Sequence, residues 1–307
     1  MLTLVLQSHR QPLPQPWLQH CLESVETWAR SRGFAYRFLG DELFDPLLDP
    51  RGGAPVMRER IATQPVVASD LARLLALEAA LISEFERAIW IDADVLMLPQ
   101  ATDLALPSGH GVGRQLWVSA EHRKRSARTA LKTTRQVHNA FMVFERGDPV
   151  LPFYRRAAQQ ILREHRSGPV APQLIGPKLL TALHRLARFN VIEAAGMLPP
   201  LVAADLLAGR GPALEHYQRN LTCGPLALNL CGSLTAELSS LGVAPLSLIE
   251  RLLDPSIERL LDPSIERLLD PATARLMSPR SDAPAASRAP SCAPDPAHPP
   301  AGTSGRS

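Results

Sequence analysis

Residues 88–98, AIWIDADVLML, constrain this chain more than any other stretch, because they set Asp92 and Asp94 inside an otherwise apolar run. A strand buried in a core does not accept charge. A carboxylate taken from water without a partner costs several kcal/mol or neutralises. That cost is offset by a metal ion, by basic side chains, or by exposure at a strand end. In an extended segment residues i and i+2 point to the same side. The spacing therefore predicts a strand, AIWI, that ends by presenting two carboxylates together.

The rest of the chain predicts what carries such a strand end. LTLVL at 2–6 is a short continuous apolar run, as in a strand buried on both faces. After QPLPQP, residues Trp17, Leu18, Cys21, Leu22, Val25 and Trp28 fall at helical spacing, and Gly33 ends that helix. FAYRFLG at 34–40 alternates as a second strand. Residues 64–85 read as a long helix with an apolar stripe through Val67, Leu71, Leu74, Leu75, Leu81 and Ile82. Strands are expected at 111–120, 140–145 and 189–194, and helices at 149–165 and 176–187. Strands alternating with helices predict an α/β fold on a mostly parallel, mixed sheet.

With 307 residues and 45 % hydrophobic content, the chain can build one large domain with a core. A net charge of +3 is too small to imply nucleic acid. Cys21, Cys223, Cys231 and Cys292 match no metal spacing, which favours a reducing compartment with Cys21 and Cys223 as small core residues. The N-terminus reads as a strand rather than a signal peptide, and no run of about 18 apolar residues exists to span a membrane. A soluble, cytoplasmic protein is expected.

Two segments stand apart from the domain at 1–248. IERLLDPS starts at Ile249 and recurs at Ile257, and a third copy ending in Ala starts at Ile265. An eight-residue period of near-identical copies is shorter than solenoid repeats and points to tandem duplication. Residues 249–277 are expected to form short broken helices, with room for one copy to dock, since each Pro stops a turn. Residues 278–307 hold Pro, Ala, Ser and Arg and too little apolar surface to order, so a disordered tail is expected.

Hard cations such as Mg²⁺ and Mn²⁺ prefer carboxylate and phosphate oxygen. In open α/β sheets ligands bind beyond the carboxyl ends of the strands. Asp92 and Asp94 with a substrate diphosphate would make such a site. Residues 122–136, HRKRSARTALKTTRQ, carry six Lys or Arg and no acid. They read either as a mobile, solvated loop or helix, or as a segment closing over a diphosphate or recruiting an anionic acceptor. No aromatic residues interleave them for base stacking, so nucleic acid is not expected.

The order of ASDLARLLAL at 68–77, WIDADVLML at 90–98, NAFMVFERGDPVLPFY at 139–154 and IGPKLLTAL at 175–183 resembles the DXD-containing sugar-nucleotide transferases of glycosyltransferase family 32. These include α-mannosyl- and α-galactosyltransferases and relatives among clostridial glucosylating toxins. The opening also resembles that family's, although only Gln7 remains of its His-Gln-x-Trp strand end. The resemblance spans roughly residues 1–235 and implies a GT-A-like fold. It implies metal-dependent transfer, with retention, of a sugar from a nucleotide-diphosphate donor to a hydroxyl acceptor on a glycan, lipid or protein. Asp94 then looks like the direct ligand of Mn²⁺ or Mg²⁺. Asp92 would bind ribose or sugar hydroxyls, or the metal through water. Asp70 and Arg73, one helical turn apart, would contact the donor sugar, as would Asn139. Gln7 would also bind the donor, and Gly176 would allow close backbone approach at a helix N-terminus. His216, Asn229 and Ser233 are candidates to complete the metal shell.

A phosphohydrolase of the haloacid-dehalogenase type, with Asp92 as nucleophile, is the rival enzyme. The motif stands far from the N-terminus for that class, Leu96 replaces its Thr or Val, and GDPVLPF lacks its second acid. A non-catalytic scaffold retaining the sugar-nucleotide fold is the third reading.

Overall fold

The computed structural model describes residues 1–48, 54–122, 129–165, 168–232 and 235–261. Strand β1 (Thr3–Ser8) lies between β2 (Ala35–Leu39) and β3 (Arg87–Ile91), all parallel. β3 continues the sheet through β6 (Thr129–Glu145) and β5 (His110–His122), each antiparallel to its neighbour, and β7 (Val191–Ile192) closes it parallel to β5. The sheet is mixed, with three parallel and two antiparallel pairings. A second sheet holds β4 (Val95–Met97), β9 (Ala227–Asn229) and β8 (Ala195–Met197), in that order.

The expected strand AIWI is β3, and the residues after the aspartates form a further strand, β4. β3 belongs to the large sheet and β4 to the small one, and the aspartates occupy the turn between them. The Val95 amide donates to the Asp92 carbonyl at 3.1 Å, so the pair sits in a tight turn and not in the expected extended segment.

One face of the large sheet packs on α3 (Pro65–Ile82), α4 (Val150–Glu164) and α5 (Leu179–Ala187). Its other face packs Ile89, Ile91, Phe141 and Val143 against Val25 and Trp28 of α1 (Trp17–Ser31). Every apolar residue predicted on α1 is buried. On α3, Val67, Leu71, Leu74 and Leu81 are buried, but Leu75 is only partly covered and Ile82 is 79 % exposed. Ile82 is the last helical residue, where no neighbouring element reaches it.

β6 corrects two expectations. It begins at Thr129, well before the expected 140, so residues 129–136 of the basic stretch are an antiparallel partner of β5 rather than a loop or helix. Thr133, Thr134 and Val137 supply β-branched side chains that favour a pleat. Residues 123–128 lie outside the described set.

A third cluster lies around the small sheet. It joins Trp17, Leu18 and Cys21 to α6 (Pro200–Leu207), α7 (Pro212–Asn220), α8 (Thr235–Ser240), α9 (Pro245–Leu253) and α10 (Ile257–Leu261). α9 and α10 hold the first copy of the eight-residue repeat and part of the second. Ile249, Leu252, Ile257 and Leu261 are buried there, and each contributes roughly 1.5–3 kcal/mol. The third copy and residues 278–307 lie outside the described set. Cys21 and Cys231 are the buried thiols, while Cys223 is only half-buried, and all three are unpaired. Among the described residues no helix is long and apolar enough to cross a membrane.

Candidate functional site

The parallel strands β1, β2 and β3 end on one side of the sheet, and the Asp92–Asp94 turn leaves from that edge. Arg73, on α3, is 7 % exposed and organises the ground beneath it. Its Nη1 lies 2.9 Å from Asp92 Oδ1 and its Nη2 lies 3.2 Å from Asp70 Oδ1. Nη1 also donates to the Asn139 carbonyl at 3.2 Å, and the guanidinium stacks 5.2 Å over the Trp90 ring. This shell offsets the cost of a buried guanidinium: burial pulls its pKa down, but Asp92 and Asp70 outweigh that and raise it.

Asp70 is 3 % exposed, and Asn139 Nδ2 donates to its Oδ1 at 2.8 Å. Burial pushes the Asp70 carboxyl up to about 6, against the opposing pull of Arg73 and Asn139. Its Oδ2 is buried without a partner among the described residues. That oxygen faces Gly176, where an added Cβ would stand 2.5 Å from it and 3.0 Å from Asn139 Nδ2. The expectation of close backbone approach at Gly176 thus has a concrete form, although the approach is to Asp70. Gly176 lies in the irregular turn Leu174–Lys178, just before α5.

Asp92 is the more open member of this group, its side chain 25 % exposed. Trp90 Nε1 donates to its Oδ1 at 2.7 Å, and its backbone is held by Ala140 and by Gln7 Nε2 at 3.2 Å from the Asp92 carbonyl. Gln7, fully buried on β1, is fixed in turn by Tyr36, whose hydroxyl donates to Gln7 Oε1 at 3.0 Å.

Asp94 faces a different set. Asn229 Nδ2 donates to its Oδ1 at 2.6 Å, the Gly232 amide to its Oδ2 at 2.8 Å, and the Leu230 amide to its carbonyl at 2.9 Å. Burial, then the nearby Asp92, push its carboxyl up to about 6 despite these donors. An aspartate so held is not the unpartnered charge that a strand end would offer. Asn229 turns its amide nitrogen to Asp94 and its oxygen to the Cys231 amide at 2.8 Å, so it supports the carboxylate in this geometry. His216 is half-buried on α7, and no hydrogen bond among the described residues joins it to either carboxylate. Ser233 lies outside the described set.

The donor set can be tested against a divalent cation. Among the described residues no three His, Cys, Asp or Glu side chains cluster. Two neighbouring carboxylates that burden each other electrostatically still fit a hard cation that takes its other ligands from a diphosphate and water. They do not fit one caged by protein alone.

Of the residues singled out from sequence, Gln7, Asp70, Arg73, Asp92 and Asn139 form one connected network, and Asn229 joins Asp94 beside it. Sequence reasoning missed Trp90, Tyr36 and the Gly232 amide. Trp90 stands at i−2 from Asp92, a signal present in the chain; the other two are joined by tertiary contact alone.

No protein-family model matches the chain, and no curated protein matches it. In fold it is similar to a crystal structure of a glycosyltransferase involved in the glycosylation of the major capsid of PBCV-1, at TM-score 0.42 and 12 % identity, covering 79 % of this chain and 100 % of that one. Mouse xyloside xylosyltransferase 1 is similar at TM-score 0.38 and 14 % identity, covering 76 % of this chain and 98 % of that one. The glycosyltransferase GlyE of Streptococcus pneumoniae TIGR4 is similar at TM-score 0.33 and 10 % identity, over 85 % of this chain and 64 % of that one.

Proposed function

We propose that this chain is a glycosyltransferase that moves a sugar from a nucleotide-diphosphate donor to a hydroxyl acceptor, with retention of configuration. The observation that carries the reading is the network Asp70–Arg73–Asn139–Asp92, with Asp94 adjacent, at the carboxyl ends of parallel strands. Asp92 and Asp94 would hold Mn²⁺ or Mg²⁺, which when bound neutralises charge on the departing diphosphate. Arg73 keeps Asp92 in one orientation from below, and Asp70 keeps Arg73 there. Asn139 fixes Asp70 and, through its carbonyl, Arg73. Gln7 anchors the turn from β1. Such rigid support matters because a site displaced by about 1 Å can lose on the order of 100-fold in rate. No side chain in the network is assigned as a covalent nucleophile.

The test is a thermal-shift panel of nucleotide diphosphates and sugar nucleotides with and without Mn²⁺, followed by donor-hydrolysis assays on those that stabilise. A ligand at 100 times its dissociation constant stabilises by about 2.7 kcal/mol. Metal-dependent stabilisation and slow donor hydrolysis are expected, with little activity on p-nitrophenyl phosphate. The reverse pattern, with a beryllium fluoride adduct on Asp92, would replace the reading with a phosphohydrolase.

A further inference from the structure

His138 sits where the two sheets meet, and it is 2 % exposed. The ladder between β5 and β6 breaks beside it. Val112 pairs with Met142, yet the next β5 residue, Gly113, pairs with His138, so residues 139–141 of β6 face no β5 partner. The bulge frees Asn139 from β5, and its side chain bonds Asp70, while the β3–β6 ladder continues past Ile91 and Phe141 to put the Ala140 carbonyl on the Asp92 amide.

The imidazole fills the break with both nitrogens engaged. The Ala140 amide donates to Nδ1 at 3.1 Å, and Nε2 lies 3.1 Å from the Ala195 carbonyl. An N–H facing Nδ1 and a carbonyl facing Nε2 require the neutral tautomer with the proton on Nε2. Burial agrees, pushing the ring down to about 4. Gly113 makes room for it, since a Cβ there would stand 2.2 Å from the ring.

The two backbone groups that the ring joins belong to the supports of the two carboxylates. Ala140 holds Asp92. Ala195 starts β8, β8 pairs with β9, and Asn229 of β9 holds Asp94. Burial requires a partner for each ring nitrogen, and the partners taken here are those two groups. We propose that His138 is a positioning residue that sets Asp92 relative to Asp94 by tying the β6 bulge to β8.

The test compares His138→Phe, which fills the space without hydrogen bonds, with His138→Gln, which can accept from Ala140 and donate to Ala195. One readout needs no substrate. The Trp90 indole N–H, assigned among the four tryptophans by Trp90→Phe, reports the Asp92 geometry by NMR. It should shift in His138→Phe and stay near the parent in His138→Gln. The second readout rests on the glycosyltransferase reading. Donor-hydrolysis kcat should fall on the order of 100-fold in His138→Phe, with a smaller change in KM, and recover in His138→Gln even if that variant melts lower. Equal indole spectra in all three proteins, or kcat that follows melting temperature, would overturn the proposal. If the parent hydrolyses no donor, the transferase reading fails and the indole arm still decides the role of His138.

Discussion

Asp92 and Asp94 stand two residues apart, yet the protein compensates them in different ways. Asp92 has a cation and an indole: Arg73 at 2.9 Å and Trp90 at 2.7 Å. Among the described residues Asp94 has neutral donors alone, Asn229 and the Gly232 amide. Ion pairing with Arg73 ties Asp92 to α3 and thus to the large sheet. Dipolar donors tie Asp94 to the loop after β9, and they do not prevent its carboxyl from rising to about 6. Within one turn the pair offers one carboxylate with a fixed cation beside it and one held by neutral donors.

Removing the cation should break the comparison hardest. Arg73→Met leaves Asp70 buried without a counter-charge, and losing one partner of a buried pair typically costs about 3–5 kcal/mol. Urea unfolding should show this loss, and Asp70→Asn in the same chain should restore part of it. A cost below about 1 kcal/mol would mean that Asp70 is already neutral in the parent and needs no cation.

Asp94→Asn tests the other side. Donor hydrolysis should fall roughly 100- to 1000-fold, as on losing one stabiliser of developing charge. Stability should drop by only about 1–3 kcal/mol at low pH. The new amide places a donor against Asn229 Nδ2 or the Gly232 amide, and Asn229 cannot flip without releasing Cys231. The pH dependence has a definite sign. A carboxyl raised to about 6 binds more protons folded than unfolded between about pH 4 and 6, so its contribution weakens as pH rises through that window. The variant lacks this slope, so the gap from the parent should narrow from pH 4 to pH 7 without metal. A constant gap would place Asp94 in an ordinary solvated setting.

Gly176→Ala probes the Asp92 side without touching charge. The methyl would meet Asp70 Oδ2 at 2.5 Å, an oxygen on a carboxylate that Asn139 and Arg73 hold in place. A loss of about 1–3 kcal/mol is expected in chemical denaturation. The smallest effect belongs to the Asp94 side. Cys231 has φ +55°, a left-handed conformation in the loop that carries Gly232. Cys231→Gly should lose only about 1 kcal/mol, because relief of strain partly offsets the freer unfolded chain and the loss of a buried side chain. Cys231→Val should lose about 2 kcal/mol, because a β-branched residue is disfavoured there. Equal melting temperatures for these two variants would remove strain from the account of that loop.

Much of this is legible in residue order. Continuous apolar runs mark β1 and β3, and helical spacing marks α1 and α3. The three-residue spacing of Asp70 and Arg73 alone places both on one face of α3. These are local signals, set by a period of 2 or 3.6 residues and by the cost of burying charge. What failed is equally specific. AIWI at 88–91 reads as a strand with a polar end, but VLML after it receives no element, because hydropathy does not reveal that a chain changes sheets. The short β9 that supplies Asn229 is invisible because neighbouring strands, not its own composition, make it a strand, and the early part of β6 is hidden by the charges among its threonines.

The sequence by itself determined an α/β chain whose third strand ends at two aspartates, with Asp70 and Arg73 one turn apart on the helix before it. Only the tertiary structure decided which carboxylate receives the cation. Arg73 and Asp92 are separated by a helix end and a strand, while Asp94 and Asn229 are 135 residues apart. Partners brought together over such separations are chosen by how two sheets pack. No periodicity along the chain encodes that choice.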